Sequence, residues 1–280
     1  MRFLICTDGT PVGENALNFG LTLARRAQAE TTLLGVYEAP QREAAVRGAV
    51  NRAQASLPGA AVSLRRGRLA PEVLAAAQQQ AYDLIVVGSR GRRGLERLAF
   101  GSVAARLARY APASVLIVKG PPRPAVRRVL VCTTGDQRGE RVARWGGHIA
   151  RWTGADVTVL HVMSQIPISA EARDEELSGT AEEAVARGTR EGQHLRRELE
   201  VLRAQVGERP LTLHARLRYG LVVEEVAAET EEGDYDLVIL GAHKPPEAPV
   251  NWDGLDFLLE DVTDQIIMAV QRPALIVKGS

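Results

Sequence analysis

The sequence predicts an α/β protein built from two parallel sheets in tandem, and three observations carry that reading. Short continuous apolar runs, such as Leu84-Ile85-Val86-Val87 and Val115-Leu116-Ile117-Val118, recur along the chain. A strand apolar on both sides is one covered by helices on both faces, as parallel strands are. These runs alternate with amphipathic stretches of helical length, the pattern of βαβ units. Finally, the chain repeats itself. Leu4-Ile5-Cys6-Thr7 returns as Leu130-Val131-Cys132-Thr133, residues 82–88 return as 235–241, and 116–120 return as 275–279. The matches keep their order, which makes the chain a tandem duplication.

In the first copy the pattern places strands at 2–7, 32–37, 61–66, 83–88 and 114–118. Helices fall between them, near 13–27, 41–55, 71–80 and 101–110. The seam is Gly120-Pro121-Pro122-Arg123-Pro124, a short stiff linker that divides the chain into domains 1–122 and 123–280. The offset between matching segments grows along the second copy. An insertion of 27 residues therefore falls between its second and third strands, and one of 6 residues before its last helix. Residues 170–206 are richly charged, with Leu195, Leu199, Leu202 and Val206 at helical spacing. This reads as an enlarged second helix with a solvated outer face.

At 280 residues the chain suits two domains, and 45% hydrophobic with 25% charged residues excludes wholesale disorder. No apolar run approaches the roughly 20 residues of a membrane helix, and the N-terminus lacks the long apolar core of a signal peptide. Two cysteines cannot staple a secreted fold, so a reducing cytoplasm is expected. Both occupy the same apolar strand position, and each reads as a core residue rather than half of a redox pair. The near-zero net charge hides a split. Residues 1–122 carry 16 Lys+Arg against 8 Asp+Glu, and residues 123–280 carry 19 against 26. An anion held by the first half alone would explain the asymmetry, and drift on solvated faces is the alternative.

The segment after the fourth strand is the chemically suggestive one: Gly88-Ser89-Arg90-Gly91, nine residues, then Gly101-Ser102-Val103. Glycines let a backbone approach a bulky anion closely. The helix opening near Ser102 offers unpaired N–H groups and the positive end of its dipole, which suits phosphate. Asp8 stands just past the first strand, in Thr7-Asp8-Gly9-Thr10. In open parallel sheets ligands sit where the strand order reverses. If strands one and four flank that reversal, Asp8 and Gly88 share one crevice, the carboxylate toward a ribose or base and the glycines toward phosphates.

On these residues each copy resembles a universal stress protein domain. Gly88, Gly91, Gly101 and Ser102 reproduce the glycine–glycine–glycine–Ser/Thr pattern of its ATP-binding members without a gap. The Asp8-Gly9-Thr10 turn and Val36, at the end of strand two, also match. The resemblance implies open, doubly wound, five-stranded parallel sheets of order 3-2-1-4-5. It implies a site made of Thr7, Asp8, Thr10, Val36, Val87, Gly88, Arg90, Gly91, Gly101, Ser102 and Val103. Asp8 would meet the ribose or base, the Val36 backbone the adenine edge, and Val87 the adenine pocket. Gly88, Arg90 and Gly91 would hold phosphates and ribose. Gly101, Ser102 and Val103 would hold phosphate through N–H groups and the Ser102 hydroxyl. Arg90 stands where several family members have histidine. The ligand the resemblance implies is ATP, ADP or AMP, with Mg²⁺ as an allowed companion.

The second copy departs from the motif. Thr134 replaces Asp8, Lys244 replaces Gly91, and Glu260-Asp261 replace Gly101-Ser102. Carboxylates at a helix start suit its dipole but repel phosphate. One nucleotide per chain is expected, in the first copy. The two copies are expected to pair through their last strands as an internal pseudo-dimer, with a further homodimer left open. No GxxxxGK[ST] loop, GxGxxG fingerprint or metal-ligand spacing is present. Nothing points to nucleic acid or membrane. Arg65, Arg66 and Arg68 read as a solvated strand edge. A nucleotide-binding regulator, a slow ATP hydrolase and a nucleotide-independent scaffold remain the competing functions. Hydrolysis would need a base or metal-holding acids, and Asp8 is the one acid in view.

Overall fold

The computed structural model describes residues 1–89, 102–120, 125–134, 137–163, 180–242 and 262–279. Two compact units emerge: Met1–Pro122 with Ala242–Lys278, and Arg123–Gly241. The first contains β1 (Arg2–Thr7), α1 (Pro11–Ala27), β2 (Glu30–Tyr37), α2 (Pro40–Ser56), β3 (Ala61–Arg66), α3 (Leu69–Gln79), β4 (Leu84–Gly88), α4 (Ser102–Tyr110) and β5 (Ser114–Val118). Its strands run in the order β3-β2-β1-β4-β5, all parallel. The chain steps outward from β1 to β3, then returns past β1 to β4. With right-handed crossovers this puts α1 and α2 on one face and α3 and α4 on the other. Phe3, Leu4, Ile5, Leu33, Leu34, Ile85, Leu116 and Ile117 are fully buried between the two helical layers.

The second unit contains β6 (Arg128–Thr133), α5 (Gln137–Thr153), β7 (Asp156–Met163), α6 (Ala181–Arg187), α7 (Arg190–Val206), β8 (Leu213–Tyr219), α8 (Val222–Glu232) and β9 (Leu237–Gly241). Its strands follow the same plan, β8-β7-β6-β9. The remaining elements, α9 (Val262–Ala269) and β10 (Ala274–Val277), belong to the first unit. There β10 pairs antiparallel with β5, Leu275 opposite Leu116.

The repeated strings have physical reasons. Asp83, before β4, accepts a hydrogen bond from Arg2 N at 2.7 Å and so pins β1 beside β4. Asp236 does the same in the second unit, accepting from Arg127 N at 2.8 Å and Arg128 N at 3.0 Å. The repeated Val-Lys-Gly ending supplies two lysines that act reciprocally. Lys119, after β5, donates to the Ile267 carbonyl of α9. Lys278, after β10, donates to the Arg109 carbonyl of α4 at 3.1 Å. Arg109 also pairs with Asp264 of α9 at 3.2 Å. Cationic groups at helix C-terminal carbonyls are favourably placed.

The enlarged helix expected over 170–206 differs in form, and its residues 164–179 lie outside the described ones. What is described is two helices. Gly188 ends α6 in the left-handed conformation at φ 67°, and Thr189 caps α7 by accepting from Gly192 N at 3.1 Å. The buried stripe of α7 is Leu195, Glu198, Leu202 and Val206, so Glu198 takes the place expected for Leu199. Of the cysteines, Cys6 is buried and its thiol is pushed up by desolvation, whereas Cys132 is partly covered.

Two consequences are measurable. A Cβ added at Gly35 in β2 would lie 2.6 Å from Leu64 Cδ2 and 2.7 Å from Val46 Cγ1. Gly35→Ala should cost about 1–3 kcal/mol by overpacking, read by denaturant unfolding. Burial lowers the Lys119 ammonium to about 8. The unfolded chain therefore binds more protons between about pH 8 and the ordinary lysine value near 10.4, and stability rises with pH through that window. Against Lys119→Met, which cannot titrate, the wild type should gain about 3 kcal/mol as the window is crossed. A constant difference between the two proteins from pH 7.5 to 10.5 refutes the assignment.

Candidate functional site

The crevice at the strand-order reversal begins with the turn after β1. Gly9 has φ +69°, a conformation that glycine adopts without strain, and an added Cβ would meet Val46 Cγ2 at 3.0 Å. The turn folds the Asp8 carboxylate back onto the chain. Asp8 Oδ1 accepts from Thr10 N at 3.0 Å and from the Thr10 hydroxyl at 2.6 Å. Thr10 in turn caps α1, its Oγ1 accepting from Gly13 N at 3.2 Å. Pro11 follows at the first helical position, where no N–H is needed. Asp8 is thus held at the mouth of the crevice rather than swinging in solvent.

A cavity of about 480 Å³ opens beyond the C-terminal ends of β1, β2 and β3. Asp8, Thr10, Val36 and Val103 line it, bringing together residues from β1, α1, β2 and α4. Thr7 and Val87 are not among the described lining residues: they are buried at 1% and 0% exposure, and Thr7 Oγ1 accepts from Gly9 N at 3.1 Å. Gly88 ends β4 against α1. A Cβ there would meet the Val12 carbonyl oxygen at 2.5 Å, so only a glycine lets the two elements close. Arg90, Gly91 and Gly101 lie outside the described residues, as do Lys244, Glu260 and Asp261 of the second copy. Ser102 opens α4.

The cavity also has members that the sequence pattern did not single out. Arg42 of α2, Arg68 before α3 and Arg106 of α4 line it, with Tyr37 and Glu38. Arg42 Nη2 donates to the Asp8 carbonyl at 3.4 Å. Three guanidiniums face two carboxylates, Asp8 and Glu38, so the lining carries net positive charge. Arg68 belongs to the cluster read as a solvated strand edge. Its neighbour Arg65 does lie along that edge, donating to Gln79 at 2.6 Å and facing Glu72 at 3.7 Å. Arg68 itself turns the corner after Gly67 into the cavity. Arg42 and Arg106 are single arginines on helices, with no spacing to mark them.

The second unit treats the corresponding place differently. A Cβ at Gly13 would meet Asp8 Oδ1 and Thr7 Oγ1, each at 2.7 Å. At Gly139, 126 residues on, the added Cβ would run into Glu198 Oε1 and Thr133 Oγ1. Glu198 is 2% exposed and accepts a hydrogen bond from the Thr133 hydroxyl. A carboxylate from the inserted α7 therefore fills the position that Asp8 fills in the first unit, while Thr134 is exposed.

An open, doubly wound parallel sheet with a polar cavity at its strand-order reversal is the α/β architecture in which ligand sites lie at that reversal. Residues 37–119 and 125–278 match the universal stress protein family, and the chain belongs to that family. It is 44% identical over 54 residues to the universal stress protein MJ0531 of Methanocaldococcus jannaschii, a match spanning 19% of this chain and 32% of that protein. It is 28% identical over 145 residues to the universal stress protein YxiE of Bacillus subtilis, spanning 42% of this chain and 98% of that one. The crystal structure of a universal stress protein from Archaeoglobus fulgidus DSM 4304 aligns with 99% of this chain and 98% of its own, at a TM-score of 0.65 and 16% identity. That of a universal stress protein from Pseudomonas aeruginosa UCBPP-PA14 aligns with 99% and 92%, at 0.66 and 17%. At these identities the structures speak for the fold. No described helix is long and apolar enough to cross a membrane, and no described group of His, Cys, Asp and Glu is arranged to hold a metal.

Thr10→Val removes both the α1 cap and the hydroxyl that holds Asp8. It should cost about 1 kcal/mol of stability in denaturant unfolding. A variant as stable as wild type would show that the turn is held by its backbone alone.

Proposed function

We propose that the first copy binds an adenine nucleotide, ATP or its ADP and AMP products, and that the protein acts as a nucleotide-responsive regulator. The observation that carries this reading is the cavity of about 480 Å³, where Asp8, Thr10, Val36 and Val103 converge. Its size falls within the range of small-molecule sites, and its net positive lining suits phosphate. The chain segment between β4 and α4 carries Gly88, Gly91, Gly101 and Ser102 at the family's nucleotide-binding spacing. Asp8 offers an acceptor to a ribose hydroxyl or an adenine amine, and the first turn of α4 offers backbone N–H groups to phosphate. The second copy, whose corresponding place holds Glu198, serves as a non-binding partner domain that pairs with the first through its last strand.

Regulation is favoured over turnover. Phosphoryl transfer needs a positioned base or metal-bound water, and the cavity's two acids are Asp8, engaged by Thr10, and Glu38, exposed at the rim.

Denaturing the freshly purified protein and chromatographing the released small molecules tests the reading directly. About one adenine nucleotide per chain is expected. The stripped protein should then be stabilised by ATP, by about 2.7 kcal/mol at a hundredfold excess over Kd. Gly101→Glu, which imports the second copy's residue, should abolish that stabilisation. No released nucleotide together with no ATP-induced melting shift would refute nucleotide binding and favour an interaction scaffold.

A further inference from the structure

In the second copy a helix closes over an imidazole. His161 of β7 stands opposite Thr133 of β6, in the register where Gly35 of β2 stands opposite Thr7 of β1. An added Cβ at Gly35 would lie 2.7 Å from Val46 and 2.9 Å from Val50, so α2 packs directly over a glycine. On β7, against which α7 packs, the same place carries a half-buried histidine. Its ring hydrogen-bonds to the Thr133 backbone, and its Nδ1 is buried with no partner. Among the described residues, the titratable groups that face it from α7 are His194 and Glu191. Glu198, one turn on, is engaged by the Thr133 hydroxyl. Tyr219 of β8 lies beside Glu191, and Glu140 of α5 is taken up by Arg197 at 2.6 Å. Arg218 of β8 alternates to the opposite face of the sheet, where Glu225, Glu229 and Glu232 of α8 engage it.

We propose that α7 is an acid-released clamp: uptake of a proton by His161 lifts α7 from β7 and withdraws Glu198 from Thr133 and Gly139, while the first copy stays folded. A neutral ring leaves one acceptor unmet under the helix. A protonated ring puts a charge there, with no acceptor at Nδ1 and His194 beside it. Burial holds the imidazole below its ordinary value near 6.5; the Thr133 backbone and Glu191 pull the other way, and His194 adds to the effect of burial. Once α7 lifts, the ring is solvated and takes its proton at the ordinary value. The lifted state therefore binds more protons below about pH 6.5, and the docked state loses ground as pH falls. The histidines, at 148, 161, 194, 214 and 243, all lie in the second copy, which confines the response to it.

Amide hydrogen exchange of the full chain between about pH 7.5 and about pH 5.5, corrected for the intrinsic pH dependence of exchange, tests it. Peptides from α7 should lose protection below about pH 6.5, approaching the roughly tenfold per pH unit that one proton allows, while peptides from β1 to β4 keep theirs. His161→Gln, which keeps a polar side chain but cannot titrate, should protect α7 equally at both ends of the range. Constant α7 protection in the wild type, loss of protection along the whole chain at once, or an undiminished pH response in His161→Gln each overturns the proposal. If His161→Gln fails to dock α7 even at about pH 7.5, the ring resonances of His161 in the wild type decide. Their titration below about pH 6.5 supports the clamp, and titration at or above that value overturns it.

Discussion

The reversal of strand order between β1 and β4 is the constraint on which the first unit depends. From β1 the chain moves outward on one face of the sheet, and from β3 it crosses to the other side of β1 on the opposite face. The C-terminal ends of the central strands are therefore the one place where helices diverge instead of covering the sheet. Several residues of the cavity are delivered there by elements that start or stop at that level. Thr10 caps α1 and holds Asp8, Val36 is the last but one residue of β2, Arg68 precedes α3, and Val103 is the second residue of α4. The buried apolar centre below, Phe3 to Ile5 with Leu33, Ile85 and Ile117, keeps those ends level.

The second copy extends this scheme into the first. The pairing of β10 with β5 hides an edge that would otherwise expose unpaired backbone groups. Strand pairing alone tolerates slippage between apolar neighbours. The register here has independent anchors, because Lys119 and Lys278 each reach a carbonyl on the other's adjoining helix, and Arg109 meets Asp264. Burying a lysine to the extent seen at Lys119 is expensive, as the lowering of its pKa to about 8 reflects. A cost of that kind is tolerable where the group fixes an alignment that apolar packing leaves undetermined.

Much of the fold was legible because its signals are local or repeated. The apolar runs mark the strands to within two residues in the first copy, and the duplicated strings mark the groups that pin strand to strand, Asp83 and Asp236 among them. The break between α6 and α7 was legible too. Thr180 and Glu183 form a capping box, and Gly188-Thr189 spells a stop followed by a start, but charge density masked both. In the site, Asp8, Val36 and Val103 follow from motif and spacing. Arg42 and Arg106 do not, since a lone arginine on a helix has the same sequence appearance whether it faces a cavity or water. Arg68 was visible as part of a basic cluster and lies past the strand end expected at 66, yet nothing in the cluster marks it as facing a cavity rather than water.

Glu198 shows that the Asp8 position serves the scaffold as well as the ligand. In the first unit a carboxylate oxygen sits against Thr7 Oγ1 and Gly13, supplied by the residue next to the strand. In the second unit that residue is Thr134, and the carboxylate arrives instead from a helix 65 positions away, beside Thr133 and Gly139. Two unrelated routes to one placement argue that the amide-rich start of the first helix favours an acceptor there, whatever else binds. The consequence separates the two copies chemically. Asp8 comes from a short turn at the mouth of a cavity, while Glu198 is brought in, buried, by a helix that the first copy lacks. Losing the acid next to the strand and gaining the inserted helix are thus compensating changes: in both copies the start of the first helix keeps its carboxylate acceptor.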